Sequence, residues 1–299
     1  VRVALFTRNG GSESPCRWFY VTEIYNNHAT NEVRKIFMRE QLFLLLRISK
    51  PEYNKTLYEE YKLFMNPQMA FQKDGLTAGQ QDKYEGAITN QPCKILYSID
   101  DKKSWHLLGD TSFIRKNNHA YIYCMYGLKY DEKHYDRENN KYYYVIPWDY
   151  IKPLWQGDGT ELMIVKNTSV FIDKFKKAAM DSKFSYAYGK IHYDLDDKLL
   201  DVEYYDLAMK DSFEAVYHKI KDGYEIQHEV RFAVVCPDKP EHIELQLEND
   251  QKLFFTLIPL EYGRNILVEL SDLEFDEEHK VPVRFSSDIK YYQSENSEK

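Results

Sequence analysis

The chain has 299 residues, of which 43% are hydrophobic, 29% charged and 15% aromatic. With 12 Gly and 10 Pro against 26 Tyr, 16 Phe and 4 Trp, this composition excludes a disordered or collagen-like chain and supplies a core. The longest apolar peak, Leu42 to Leu46, stops at Arg47, well short of the ~20 residues that cross a bilayer, and a net charge of −8 weighs against nonspecific binding to bare nucleic acid.

The opening run from Val1 to Phe6 is too short for a signal peptide, so a cytoplasmic location without a membrane partner is the expectation. Asn31 caps a predicted helix through Leu46, and Pro51 introduces a second at Tyr53 to Met65, closed by Asn66 and Pro67. From about Ile95 strands take over: Lys94 to Ser98, His119 to Tyr126 and Lys141 to Ile146 are rich in aromatic and β-branched residues. A short strand at Glu161 to Val165 precedes a helix near Val170 to Met180, with Thr168 or Ser169 as cap. Further strands are expected at Gly189 to Tyr193 and Leu200 to Tyr204, then a helix from Asp211 to Lys221 stopped by Gly223. The remainder reads as a meander over Gln227 to Val235, His242 to Glu248, Lys252 to Ile258 and Asn265 to Leu270. A helical N-terminal third followed by antiparallel strands predicts an α+β fold, one domain over residues 1–292 with a frayed tail at 293–299.

The common enzyme motifs are absent: no GxxxxGK[ST], no GxGxxG after a strand, no HExxH, no GxSxG, and no metal site is expected. Cys16, Cys93, Cys124 and Cys236 share no CxxC spacing; Cys124 and Cys236 lie in apolar runs and read as buried thiols. Gly157-Asp158-Gly159 and Asp194-Leu195-Asp196-Asp197 read as turns. Asp82 and Glu85 form either a paired-carboxylate site or, more simply, a solvated loop. Tyr142, Tyr143 and Tyr144, with Trp148 and Trp155, form either a stacking platform or ordinary sheet packing. The segment Gln227-His228-Glu229-Val230-Arg231-Phe232-Ala233-Val234 is the most informative. As a strand it directs Gln227, Glu229 and Arg231 to one face and Val230, Phe232 and Val234 to the other. On pattern alone the polar face is a solvated one with a Glu229–Arg231 pair worth a few tenths of a kcal/mol, or a polar cleft.

Gln227-His228-Glu229 at the start of a strand resembles the [QE]-x-E motif of the ADP-ribosyltransferase superfamily. Other stretches resemble, in order, a group of bacterial proteins taken to share that fold. They are the D-x-x-E-G stretch at Asp82 to Gly86, the cysteine-bearing aromatic strand at Tyr121 to Tyr126, the strand and phenylalanine-bearing helix from Val165 to Ala179, and Gly189-Lys190-Ile191-His192-Tyr193. The resemblance implies a split, mainly antiparallel sheet and transfer of ADP-ribose from NAD to a macromolecular acceptor, protein or nucleic acid. It also implies the setting of a bacterial toxin or phage-defence effector, with an antitoxin as a neutralising partner. Glu229 would stabilise the oxocarbenium-like transition state and Gln227 orient the acceptor. Arg47, with Arg8 as rival, would grip the cofactor, and Tyr126 would stack on nicotinamide. Arg47 falls at the end of a predicted helix and the family's Ser-Thr-Ser motif is absent, both departures from the pattern. The contrasting expectation is a non-catalytic binding module whose aromatic sheet recognises a protein or nucleic acid, its acidic surface favouring a basic partner.

Overall fold

The computed structural model describes residues 2–7, 18–21, 42–72, 82, 85–89, 93–98, 106–111, 114–115, 119–195, 213–220, 228–238, 240–249, 255–275, 282–284 and 290–295. Its strands begin with β1 (Arg2–Thr7), β2 (Trp18–Val21), β3 (Leu42–Ser49), β4 (Lys62–Pro67), β5 (Ala87–Thr89), β6 (Cys93–Ser98) and β7 (His106–Thr111). There follow β8 (Ile114–Arg115), β9 (Ala120–Lys129), β10 (Tyr135–Asp136), β11 (Lys141–Ile146), β12 (Glu161–Val165), β13 (Ser185–Lys190) and β14 (Glu229–Val235). The last are β15 (Ile243–Gln246), β16 (Phe255–Pro259), β17 (Arg264–Ser271), β18 (Glu274–Phe275), β19 (Pro282–Arg284) and β20 (Lys290–Glu295). The α-helices are α1 (Pro51–Glu60), α2 (Trp148–Ile151) and α3 (Thr168–Asp181). The fold is broadly α+β, and among the described residues the strand pairs are antiparallel apart from an isolated parallel bridge between His192 and His218.

Several expectations are corrected. A helical N-terminal third is not what the described residues form: β1 to β4 lie there with a single ten-residue helix. Leu42 to Leu46 is strand, not helix end: Leu45 is buried on one side of the sheet and Leu44 and Leu46 on the other, and an apolar run buried on two sides favours extended backbone. Residues 31–41 lie outside the described part. The second helix stops at Glu60, since Tyr61 turns left-handed (φ 56°) and sends the chain into β4. Residues 217–220 are not helical, and the described part of this segment holds a 3-10 turn at Glu214–Val216. The C-terminal strands are no meander: β14 joins β9 and β13, β15 joins β4, β16 joins β12 and β17 joins β11. Residues 290–295, placed partly in a frayed tail, form β20 against β17.

The main sheet runs β13-β14-β9-β3-β12-β16, and it forks. On its far side from β14, β9 pairs with β3 at Tyr126 to Lys129 and with β4 at Tyr121 and Ile122. Neither strand pairs with Tyr123 to Met125. A single excursion makes the fork: β3 ends at Ser49, α1 crosses over, and β4 returns to meet β9 further along. Beyond the fork β3 continues into β12, while β4 pairs β15.

Period two divides the side chains. Val230, Phe232 and Val234 of β14 share a face with Tyr121, Tyr123 and Met125 of β9, covered by Phe171, Phe175, Ala178 and Ala179 of α3. Both α3 phenyl rings meet Phe232 edge-on at 5.1 Å. Asn167, rather than Thr168 or Ser169, caps α3 by accepting from the Val170 N–H. The opposite face carries two apolar clusters. One, around Leu44, Leu46, Leu128 and Tyr142, packs on β11 and β17; the other holds Ala120, Ile122, Val216, Tyr217 and Ala233. Between them lie Cys124, Tyr126, Glu229 and Arg231.

Candidate functional site

Glu229 pairs with Tyr126 and Arg231 with Cys124 across β14 and β9, so the four side chains share one face. Burial there makes isolated charges costly, and each is paired. The Arg231 guanidinium, 1% exposed, donates through Nε to Glu229 Oε1 at 2.6 Å. Its Nη1 and Nη2 form a fork on Glu85 at 2.7 Å each, and Nη1 also reaches the Val216 carbonyl at 2.7 Å. Lys219 Nζ donates to Glu229 Oε2 at 2.9 Å and lies 3.4 Å from Asp82 Oδ2 and 3.6 Å from Glu85 Oε2. Burial alone would raise the Glu229 pKa, yet Arg231 and Lys219 hold it well below the usual carboxylate range. Burial would lower Lys219, but Glu229, Glu85 and Asp82 raise it. Glu229 and Lys219 thus hold each other in their charged forms.

Asp82 and Glu85 thus form no solvated loop. The Asp82 N–H donates to the Phe71 carbonyl, the Glu85 N–H to the Asp82 carbonyl, and Gln68 Nε2 donates to Glu85 Oε1 at 2.7 Å. The glycine after Glu85 is explained by its backbone: Gly86 sits at φ +71°, a conformation costly for a residue with a Cβ. The Glu229–Arg231 pair is likewise a buried pair and no surface one.

A pocket of about 470 Å³ opens at the fork. The Gly127 N–H donates to the His228 carbonyl, so the alternation of an antiparallel ladder turns the backbone groups of Cys124 away from β14, into the unpaired gap between β3 and β4. Register places Arg47, next to Leu46, on the face opposite Glu229; the two line one pocket because the sheet is open here. The guanidinium carbon of Arg47 lies 4.2 Å from the centroid of the Tyr123 ring. Arg47 has no carboxylate partner among the described residues, and burial lowers its pKa to about 10. Tyr126 also lines the pocket, its hydroxyl 3.2 Å from that of Tyr144, and burial raises its pKa. Burial and the nearby Glu229 raise the Cys124 thiol, which makes it a poor nucleophile. Gln156 Nε2 and the Tyr123 hydroxyl are buried without hydrogen-bond partners, a condition that costs about 1–3 kcal/mol each when nothing fills it. At the rim, Tyr53 is 55% and Phe64 39% exposed, and Phe64 stacks on His242 at 4.4 Å.

Arg47, Tyr126 and Glu229 are thus brought together, whereas Gln227 and Arg8 lie outside the described residues. Sequence reasoning did not single out Lys219 or Gln156 and left Arg231 as a surface partner; no motif marks them. The only usable signal was the shared period of Glu229 and Arg231. Tyr142 is buried and Trp148 and Trp155 pack edge-on at 5.4 Å, so this group serves packing. Cys236 is buried as expected, while Cys124 is half-buried in the pocket wall. Outside the pocket, His218 is held between Asp194 Oδ1 (2.5 Å from Nδ1) and Glu214 Oε1 (3.1 Å from Nε2). Among the described residues no group of three or more His, Cys, Asp or Glu side chains is arranged to hold a metal ion, and no helix is long and apolar enough to cross a membrane. Comparison with protein-family models, with curated proteins and with solved structures yields no match to this chain.

Proposed function

We propose that the chain is an NAD-dependent ADP-ribosyltransferase acting on a macromolecular acceptor. The observation that carries this reading is the convergence of Arg47, Tyr126 and Glu229 on one pocket at a fork in an antiparallel sheet. In the reaction the bond between ribose C1′ and the pyridinium nitrogen breaks, and its electron pair neutralises the departing nicotinamide. The acceptor nucleophile then bonds to C1′ and loses its proton. Positive charge grows on the ribose, so the useful group is a carboxylate that stays ionised and does not move. Glu229 meets both requirements, since Arg231 and Lys219 each engage one of its oxygens and keep it charged. Each oxygen retains a further lone pair for a ribose hydroxyl. Arg47, which has no carboxylate partner among the described residues, suits the pyrophosphate, and Tyr126 offers a ring face to nicotinamide. Gln227 keeps the acceptor-orienting role that the resemblance to the Gln-x-Glu motif implies. Glu229→Gln is expected to lower NAD turnover at least 100-fold; turnover that survives unchanged overturns the assignment.

One observation favours the contrasting reading, a non-catalytic binding pocket: both Glu229 oxygens already face cations, the arrangement of a purely structural ion cluster. Thermal unfolding separates the two. NAD at about a hundred times its Kd stabilises by about 2.7 kcal/mol. Stabilisation without turnover supports the binding pocket, and stabilisation with turnover that depends on Glu229 supports the transferase.

A further inference from the structure

Gln156 lines the pocket, and its Nε2 is a buried donor that no described residue uses. It follows the 3-10 turn at Lys152–Leu154, and its position is set from outside the pocket. The Gln156 N–H donates to Thr160 Oγ1 at 3.1 Å, and the Thr160 hydroxyl donates to the Gly157 carbonyl at 2.6 Å. The Leu260 N–H donates to the Thr160 carbonyl at 2.9 Å, tying the turn to the end of β16. Gly157 and Gly159 take φ of +95° and +85° to close the loop. The backbone is therefore clamped, yet the side-chain Nε2 is buried with its hydrogen-bonding capacity unspent. Buried polar groups are normally hydrogen-bonded, so an open donor on a pocket-lining residue is a place where a bound molecule can supply the acceptor. Gln156 and Tyr126 line the same pocket, and the neighbouring Trp155 packs against the same apolar cluster as Tyr126.

We infer that Gln156 is a specificity-determining residue whose Nε2 donates to a carbonyl oxygen on the ring of the bound ligand; on the transferase reading, which this inference rests on, that oxygen is the carboxamide oxygen of nicotinamide. A donor fixed before binding selects an oxygen acceptor at that position and discriminates against a group that accepts poorly. Gln156→Met removes the open donor at nearly constant volume, so the free protein keeps or raises its thermal midpoint. Gln156→Glu keeps the shape and presents an acceptor where the donor stood.

The test compares kcat/KM for NAD and for thionicotinamide adenine dinucleotide, whose sulfur is a weak acceptor, in the wild type and both variants. The expected result is a wild-type preference for NAD that shrinks about tenfold in Gln156→Met, the worth of one well-placed hydrogen bond. The midpoint of the free Gln156→Met protein does not fall, and Gln156→Glu is the poorer enzyme of the two. An unchanged preference in Gln156→Met, with NAD still turned over, overturns the role of Gln156 and leaves the transferase reading standing. A Gln156→Glu protein as active as the wild type overturns that role too. A wild type that neither binds nor cleaves NAD overturns the transferase reading and this inference together.

Discussion

Arg47 and Arg231 line the same pocket, yet their surroundings give them opposite relations to stability. Arg231 holds Glu229 and Glu85 in a buried cluster, so Arg231→Met leaves Lys219 alone against the buried carboxylates Asp82, Glu85 and Glu229. Breaking a buried pair in this way costs about 3–5 kcal/mol. Urea denaturation is expected to show a loss of that size, large enough to compromise folding. Arg47 rests on the Tyr123 ring with no carboxylate partner among the described residues, and burial penalises its charge. Arg47→Leu is therefore expected to leave the urea midpoint nearly unchanged while raising the apparent KM for NAD at least tenfold. An unchanged KM removes Arg47 from the site. Glu229 was singled out in the sequence by the resemblance of Gln227-His228-Glu229 to a three-residue motif, and the structure places it in the pocket wall. The contacts of Lys219 and Glu85 were not legible there, since their partners lie far away along the chain and no local period records such a contact. Burial was equally invisible: an alternating Glu-x-Arg looks the same on a wet face and in a dry cluster.

Elements show the same division between local and distant causes. The helix α3 was read almost to its ends because its apolar residues keep helical spacing, although its cap is Asn167 and not the Thr168 or Ser169 expected. Its far end is also a local device. The Phe184 N–H donates to the Ala179 carbonyl and the Lys183 N–H to the Met180 carbonyl, both at 2.9 Å, the bond pattern of a Schellman motif. The left-handed residue that closes it is Lys183, at φ 58°, where glycine would sit without a Cβ penalty. Lys183 is exposed, so Lys183→Gly gives up little packing. Relief of a left-handed cost of about 1–2 kcal/mol, less the added chain entropy of glycine, is expected to stabilise by about 0.5–1 kcal/mol. Thermal unfolding reads this directly. By contrast, β3 was mistaken for helix: a continuous apolar run has no period, and only neighbours on both faces make it a strand.

The molecule as a whole is tied together by contacts between distant segments, and His218 is one whose charge can be titrated. It joins residues 192–195 to residues 213–220, stacked on His192 at 5.3 Å and held by Asp194 and Glu214. Burial would lower its pKa, but the two carboxylates raise it to about 9. The ordinary value in the unfolded chain is about 6.5. Folding therefore takes up a proton between these values, and the contribution to stability is complete below about pH 6.5 and lost as the pH rises through about 9. At ~1.4 kcal/mol for each pKa unit, the loss is on the order of 1–3 kcal/mol. The difference in urea midpoint between wild type and His218→Gln is expected to narrow across that window; a constant difference removes His218 as its source. The sequence by itself determined the α+β class, most strands beyond residue 119, the helix α3 and the candidate carboxylate. These depend on side-chain period, caps and a short motif, all of which are local. Tertiary structure alone decided that β3 and β4 part beside β9, that the opening brings Arg47 and Glu229 together from opposite faces, and that three carboxylates and two cations from distant segments are gathered into one buried ion cluster. Those outcomes follow from which strand edges pair and which charges are removed from water, and neither is encoded within a few residues of the groups concerned.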